Sequence, residues 1–129
     1  MIAVDTSVWI DWINRKETSQ VARLNSILNQ EEVVVGDIVL LEVLQGARDD
    51  LHARRIARML DDCVHLPMLS KSLAITASSN FRTLRRQGIT IRKTPDLIIG
   101  TWCIENRVPL LHNDRDFLPM VDHLGLVEY

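Results

Sequence analysis

The chain is short of the residues from which several function classes are built. Cys63 and Cys103 are its only cysteines, each alone in an apolar setting. That excludes a disulfide framework or a paired-cysteine zinc site, and it suits a reducing, cytoplasmic setting. The five glycines are all isolated, so there is no Gly-rich phosphate loop. His52, His65, His112 and His123 show no metal-ligand spacing, and only His112, beside Asp114, is placed to support a site. No apolar run approaches the roughly 18 residues that a membrane span requires. No basic region precedes an apolar stretch at the N-terminus, so neither a secretion signal nor a membrane partner is expected. Charge of one sign is missing too. Fifteen basic residues against 17 acidic ones leave a net charge of −2, which argues against a wholesale nucleic-acid binder but not against a local basic patch.

What is present describes an ordinary globular chain. With 47% hydrophobic and 25% charged residues over 129 positions, residues 1–129 read as one domain that buries its own core. Ile2-Ala3-Val4 forms a short apolar strand that runs straight into Asp5, with Thr6 or Ser7 to cap a following helix over Val8 to Asn14. Thr18 or Ser19 opens a second helix carrying Val21, Leu24, Ile27 and Leu28 on one face. Val33 to Gly36 is the next strand. Asp37 caps an almost wholly apolar helix, Ile38 to Ala47.

Further along, Arg54 to Leu60 is amphipathic and Val64 to Leu66 is a strand. Ser70 begins the longest helix, which ends at Gly88. Thr94 as N-cap and Pro95 in the first turn open a helix to about Asn106. Pro109 to His112 and Leu126 to Glu128 are the last strands, with a short helix around Phe117 to Val121 between them. Five short apolar strands separated by helices predict an α/β fold with a central, mainly parallel five-stranded sheet covered on both faces.

That topology gathers acids that are distant in sequence. Right-handed crossovers start each helix near the carboxyl rim of the sheet, where open α/β folds place their ligands. Asp5 ends the first strand, Glu42 lies in the helix after the second, Asp96 opens a later helix, and Asp114 and Asp116 follow the fourth strand. Each has a plain alternative. Asp5 can be a cap, Glu42 an exposed residue on a thin polar stripe, Asp96 a partner of the helix dipole, and Asp114 and Asp116 turn residues.

Their convergence is harder to explain away, because two carboxylates about 4 Å apart repel by roughly 4 kcal/mol at an effective dielectric near 20. Arg115 is the one cation among them, and its turn aims it at solvent. An all-oxygen, acid-rich site suits Mg²⁺ or Mn²⁺ and the hydrolysis of a phosphodiester.

The segments I-A-V-D-T-S, L-L-E-V-L-Q-G, I-R-K-T-P-D-L-I-I-G and L-L-H-N-D-R-D-F, in this order and spacing, resemble the PIN-domain nucleases. More narrowly they resemble the VapC toxins of bacterial toxin–antitoxin pairs, across essentially the whole chain. The resemblance implies a three-layer α/β/α sandwich, usually a homodimer, that cleaves RNA with Mg²⁺ or Mn²⁺ and is inhibited by a cognate VapB-like antitoxin. It implies that the acidic site falls on Asp5, Glu42, Asp96 and Asp114. Asp116 would ligate or support a second metal position, and Thr6 or Ser7 would supply a supporting hydroxyl. Ile99-Gly100 departs from the alanines more usual in the family.

Two stretches lie outside the acids. Arg82, Arg85 and Arg86, with Arg92 and Lys93, form the only dense basic cluster, which is either a hold on the RNA backbone or a solvated helix face. Trp9, Trp12 and Ile13, with the Val21/Leu24/Leu28 face, are either a groove for an antitoxin helix or core, and core is favoured for at least one tryptophan. Rival readings fit less well. A haloacid-dehalogenase-type phosphatase needs an acid where Ser7 stands, and an Asp-x-Ser-x-Ser adhesion loop needs a serine where Trp9 stands. The remaining alternative is a PIN-like domain that binds metal or a partner without cutting.

Overall fold

Ile2–Val4 (β1) is the hub of the sheet. In a computed structural model that describes residues 1–129, β1 pairs in parallel with Val33–Gly36 (β2) on one side and Leu110–Leu111 (β4) on the other. Val64–Leu66 (β3) adds to β2, also parallel, giving the order β3-β2-β1-β4. Ala3 lies opposite both Val34 and Leu110, which places the ends of β1, β2 and β4 at a common rim. Every residue of β1, β2 and β4 is buried. Successive strand side chains point to opposite faces, so full burial means that helices cover both faces. The edge strand β3, by contrast, is only partly covered.

The helices are Thr6–Ile13 (α1), Ser19–Ile27 (α2), Asp37–Gln45 (α3), Asp50–Met59 (α4), Lys71–Arg86 (α5), Thr94–Asn106 (α6) and Leu118–Leu124 (α7). None is long and apolar enough to cross a membrane. One core runs through all layers, with Trp9, Leu24, Leu60, Leu84, Ile99 and Phe117 among its fully buried side chains. Trp9 and Leu24 are therefore core and not groove, and Trp12 packs edge-on to Trp9 while its Nε1 donates to Asn25 Oδ1 at 3.0 Å.

The sheet has four strands, not five. Leu126 to Glu128 makes a single parallel bridge, Leu110 to Glu128, because β4 is only two residues long and offers no longer ladder. The helix starts also shift. Asp5, not Thr6 or Ser7, caps α1. Gly36 is the N-cap of α3, and Asp37 is its first residue, with Oδ1 accepting from the backbone N–H groups of Ile38 and Met68. Lys93 precedes α6, with Thr94 already helical. Helix α4 begins at Asp50, earlier than its apolar pattern suggests, because Asp49 caps it through the His52 N–H.

Candidate metal centre

Asp5 is set by β1 and by the start of α1. It is 3% exposed, and its Oδ2 accepts from the Ser7 backbone N–H at 3.0 Å and from Ser7 Oγ at 2.6 Å. Ser7 Oγ in turn accepts from the Asn113 N–H at 3.1 Å, which ties the end of β1 to the segment after β4. Burial pushes the Asp5 carboxyl up. The two Ser7 bonds pull it back without cancelling the shift, and Asp114 adds to the rise. Alongside, Thr6 Oγ1 donates to Glu42 Oε1 at 2.7 Å, so α1 also orients the half-buried acid of α3.

Asp96 sits in the first turn of α6, where the helix dipole favours an anion. It is 4% exposed, and its Oδ2 is buried without a hydrogen-bond partner. Burial, then the Asp5 charge, raises its pKa to about 6, although Lys93 opposes the shift. Asp114 caps the short 3₁₀ turn Arg115–Phe117, its Oδ1 accepting from the Asp116 N–H at 2.9 Å. Burial alone would raise Asp114, but hydrogen bonds from Lys93 and the Asp116 N–H outweigh it and hold the group below its ordinary value. The Lys93 ammonium is correspondingly held above its own, chiefly by its bond to Asp114.

The expected residues therefore divide. Carboxylate oxygens of Asp96, Asp114 and Asp116 all lie within 4.8 Å of one another. Asp5 and Glu42 lie outside this trio: Asp5 acts on Asp96 through its charge, and Glu42 is bonded to Thr6, the neighbour of Asp5. Arg115 is exposed, as its turn predicts. It is not the only cation near the acids, however. Lys93 Nζ lies 2.8 Å from Asp114 Oδ2, 3.5 Å from Asp96 Oδ2 and 3.9 Å from Asp116 Oδ2. The signal was available, since Lys93 and Asp96 stand three apart at a helix start, a spacing that brings side chains together.

Arg82, Arg85 and Arg86 lie on exposed positions of α5. Arg85 stacks over Phe81 at 5.7 Å and Arg86 bonds Thr83, both on that same helix. Arg92 is exposed and unpaired. Sequence reasoning did not find Glu128. Its Oε2 lies 3.1 Å from His112 Nε2, while His112 Nδ1 accepts from the Asp114 N–H at 3.2 Å. These two bonds fit the Nε2-protonated tautomer, which couples the C-terminal segment to an acid of the site.

The donor set is all carboxylate oxygen, and one of those oxygens is buried without a partner. Burying a carboxylate oxygen without a hydrogen bond is costly even with the Lys93 charge 3.5 Å away, and a hard divalent cation is the partner that such a set suits. The residues present fit the group.

Comparison with known proteins identifies the family. The PIN domain family model matches residues 2–121. The chain is 28% identical over 122 residues to the VapC ribonuclease Mb1587 of Mycobacterium bovis, and likewise to ribonuclease VapC11 of Mycobacterium tuberculosis. Each alignment covers 91% of this chain and 89% of the relative. VapBC2 of Rickettsia felis, solved with a promoter DNA fragment, matches with a TM-score of 0.77 at 18% identity, covering 100% of this chain and 98% of that one. VapBC-1 of nontypeable Haemophilus influenzae matches with a TM-score of 0.76 at 20% identity, covering 100% and 97%. At those identities the structural likeness speaks to the fold. Because the family model spans nearly the whole length, from the strand before Asp5 to beyond the Asp114 turn, the chain belongs to the PIN domain family.

Proposed function

We propose that this chain is a divalent-metal-dependent endoribonuclease, the toxin of a VapBC-type pair, working in the cytoplasm as a homodimer and neutralised by a VapB-like antitoxin. One observation carries the reading: the buried Asp96 Oδ2, which has no hydrogen-bond partner and only the Lys93 charge at 3.5 Å, stands in a cluster of further carboxylates at the carboxyl rim of a parallel sheet. The names of the curated relatives, both ribonucleases, support the reaction class, and the VapBC assemblies among the solved structures support the partner.

In this reading Asp5, Glu42, Asp96 and Asp114 are the catalytic acids and hold Mg²⁺ or Mn²⁺, with Asp116 as a further ligand. When bound, the ion polarises a phosphoryl oxygen and promotes attack by water in line with the leaving oxygen. The protein's own part is placement. Ser7 holds one carboxylate oxygen of Asp5, and Thr6 holds one of Glu42. The raised pKa of Asp96 leaves a proton there below about pH 6, and that proton must depart before the oxygen can ligate. Arg82, Arg85, Arg86 and Arg92 are the cations available to hold the RNA backbone on either side of the cut.

The test is incubation of purified protein with cellular RNA, with and without Mg²⁺ or Mn²⁺, beside Asp5→Asn and Asp96→Asn. Metal-dependent cleavage lost in both variants is expected. No cleavage, or equal cleavage by the variants, leaves instead a PIN-like domain that binds metal or a partner without cutting. For the basic cluster, Arg85→Gln with Arg86→Gln should reduce the slope of RNA affinity against salt by about one to two units, one per lost phosphate contact. An unchanged slope removes those arginines from the RNA path.

A further inference from the structure

Lys93 reaches into the carboxylate cluster from outside. Its side chain is 53% exposed, yet its Nζ faces all three acids of the trio, at 2.8 Å from Asp114, 3.5 Å from Asp96 and 3.9 Å from Asp116. It donates one hydrogen bond, to Asp114 Oδ2, and reaches the other two carboxylates only as a charge. The backbone at Lys93 is extended, just before α6, and no other side chain grips the ammonium. Neighbouring cations do not share the position, because Arg92 and Arg115 are exposed and form no ion pair.

We propose that Lys93 is a tethered counter-cation. It offsets part of the charge of the acid trio in the metal-free protein and yields its place when a divalent ion binds, so the metal affinity of this chain is set in competition with its own ammonium. The inference rests on the metal-site reading above and goes beyond it.

The physical case is one of charge and exchangeability. Three carboxylates within 4.8 Å of one another, with Asp5 beside them, cannot all stay ionised without a cation nearby. A single ammonium offsets only part of that charge, and does so without satisfying Asp96 Oδ2. A doubly charged ion offers more to the same oxygens, whereas a monovalent ion offers no more than the lysine it would displace. The site thus favours divalent over monovalent cations, which ligand geometry alone does not secure. A flexible four-carbon stem at an exposed position lets the ammonium withdraw to solvent without moving the backbone. Withdrawn, it remains at the rim next to Arg92, where a phosphate of bound RNA would meet it.

The experiment is calorimetric titration of the whole chain with MnCl₂ for wild type, Lys93→Gln, Lys93→Met, Lys93→Arg and Arg92→Gln. Removing the competing charge should tighten Mn²⁺ binding about tenfold in Lys93→Gln and Lys93→Met, the scale of one partly exposed ion-pair cluster. Lys93→Arg and Arg92→Gln should stay with the wild type. The same two neutral variants should melt lower than wild type without metal and gain more in Tm from Mn²⁺.

A second readout needs no variant. In wild type, saturating Mg²⁺ should move the Lys93 Cε and Nζ resonances to those of a free lysine. Equal or weaker Mn²⁺ binding by Lys93→Gln and Lys93→Met, or Lys93 resonances indifferent to Mg²⁺, overturns the inference and leaves the metal site standing. No Mn²⁺ binding by wild type or any variant overturns the metal-site reading, and this inference with it.

Discussion

Ser7 shows how much one hydroxyl does at this rim. Its Oγ donates to Asp5 at 2.6 Å and accepts from the Asn113 N–H at 3.1 Å, so a residue after β1 and a residue after β4 are held by the same atom. Ser7→Ala removes a hydrogen bond to a carboxylate and the acceptor for an exposed N–H. The expected loss is about 1–2 kcal/mol of stability, measured by urea denaturation. The Asp5 pKa should rise further, since the Ser7 bonds are what restrain it. Unchanged stability would mean that the rim is held by β1 and β4 alone. The Asp5 side chain likewise serves two ends, capping α1 while standing in the acid cluster. Cap and ligand are not competing roles, because one carboxylate oxygen takes the Ser7 bonds and the other is left for the site.

At the level of elements, α6 carries most of what is particular to this chain. It presents Asp96 in its first turn and then buries Ile98 to Cys103 without interruption. Gly100 has a packing reason. A Cβ built there would sit 2.5 Å from both Sδ and Cε of Met120, so the methionine of α7 fills the volume that alanine would take. Asn80 Nδ2 donates to the buried Thr101 Oγ1 at 3.1 Å, which pins α5 to α6.

The far end of α6 is less well made. Its C-cap is Arg107 at φ 55°, a left-handed position that glycine adopts without penalty. Arg107→Gly should therefore stabilise the fold by about 0.5–1 kcal/mol, read as a rise in the thermal midpoint, since relief of the left-handed strain exceeds the added freedom of the unfolded chain. A fall in the midpoint would show that the Arg107 side chain contributes contacts worth more than the strain.

Over the whole molecule, stability is linked to the charge of the acid rim. Asp96 has an ordinary pKa of 3.8 and a folded value of about 6, and Asp5 is shifted in the same direction. A raised carboxyl stabilises the fold fully below its unfolded value and loses that contribution as pH climbs through the folded one. Asp114 is lowered, so its contribution is present above its unfolded value and is lost only in stronger acid. Between about pH 4 and 7 the raised acids set the slope from this rim, and metal-free protein should lose stability as pH rises.

Thermal melts in EDTA at pH 4.5 and 7.5 check this. Asp96→Asn should flatten the difference, and saturating Mg²⁺ should restore wild type at pH 7.5 far more than at pH 4.5, because the ligating oxygen must be unprotonated. Equal slopes for wild type and Asp96→Asn would discard the linkage.

The amino-acid sequence alone determined the order of elements and the parallel sheet, and it named Asp96, Asp114 and Asp116 among the acids that the fold brings together. Apolar periodicity reports which residues are buried, and right-handed crossovers send every helix back to the same rim. Ile2-Ala3-Val4 before Asp5 was enough to put that acid at the end of a buried strand. Helix starts moved by one residue where no side chain caps the helix, as at Gly36, or where the preceding acid does, as at Asp5, because several polar neighbours compete for one orphan N–H. The fifth strand shrank to a bridge because ladder length depends on its partner, and β4 has only two residues to offer.

What only tertiary structure decided is the company each acid keeps. Lys93 in the carboxylate cluster, Ser7 on Asn113 and Glu128 behind His112 are pairings between residues up to 106 apart. No local pattern encodes such pairings, since they depend on where the chain returns and on which charges burial then leaves unpaired.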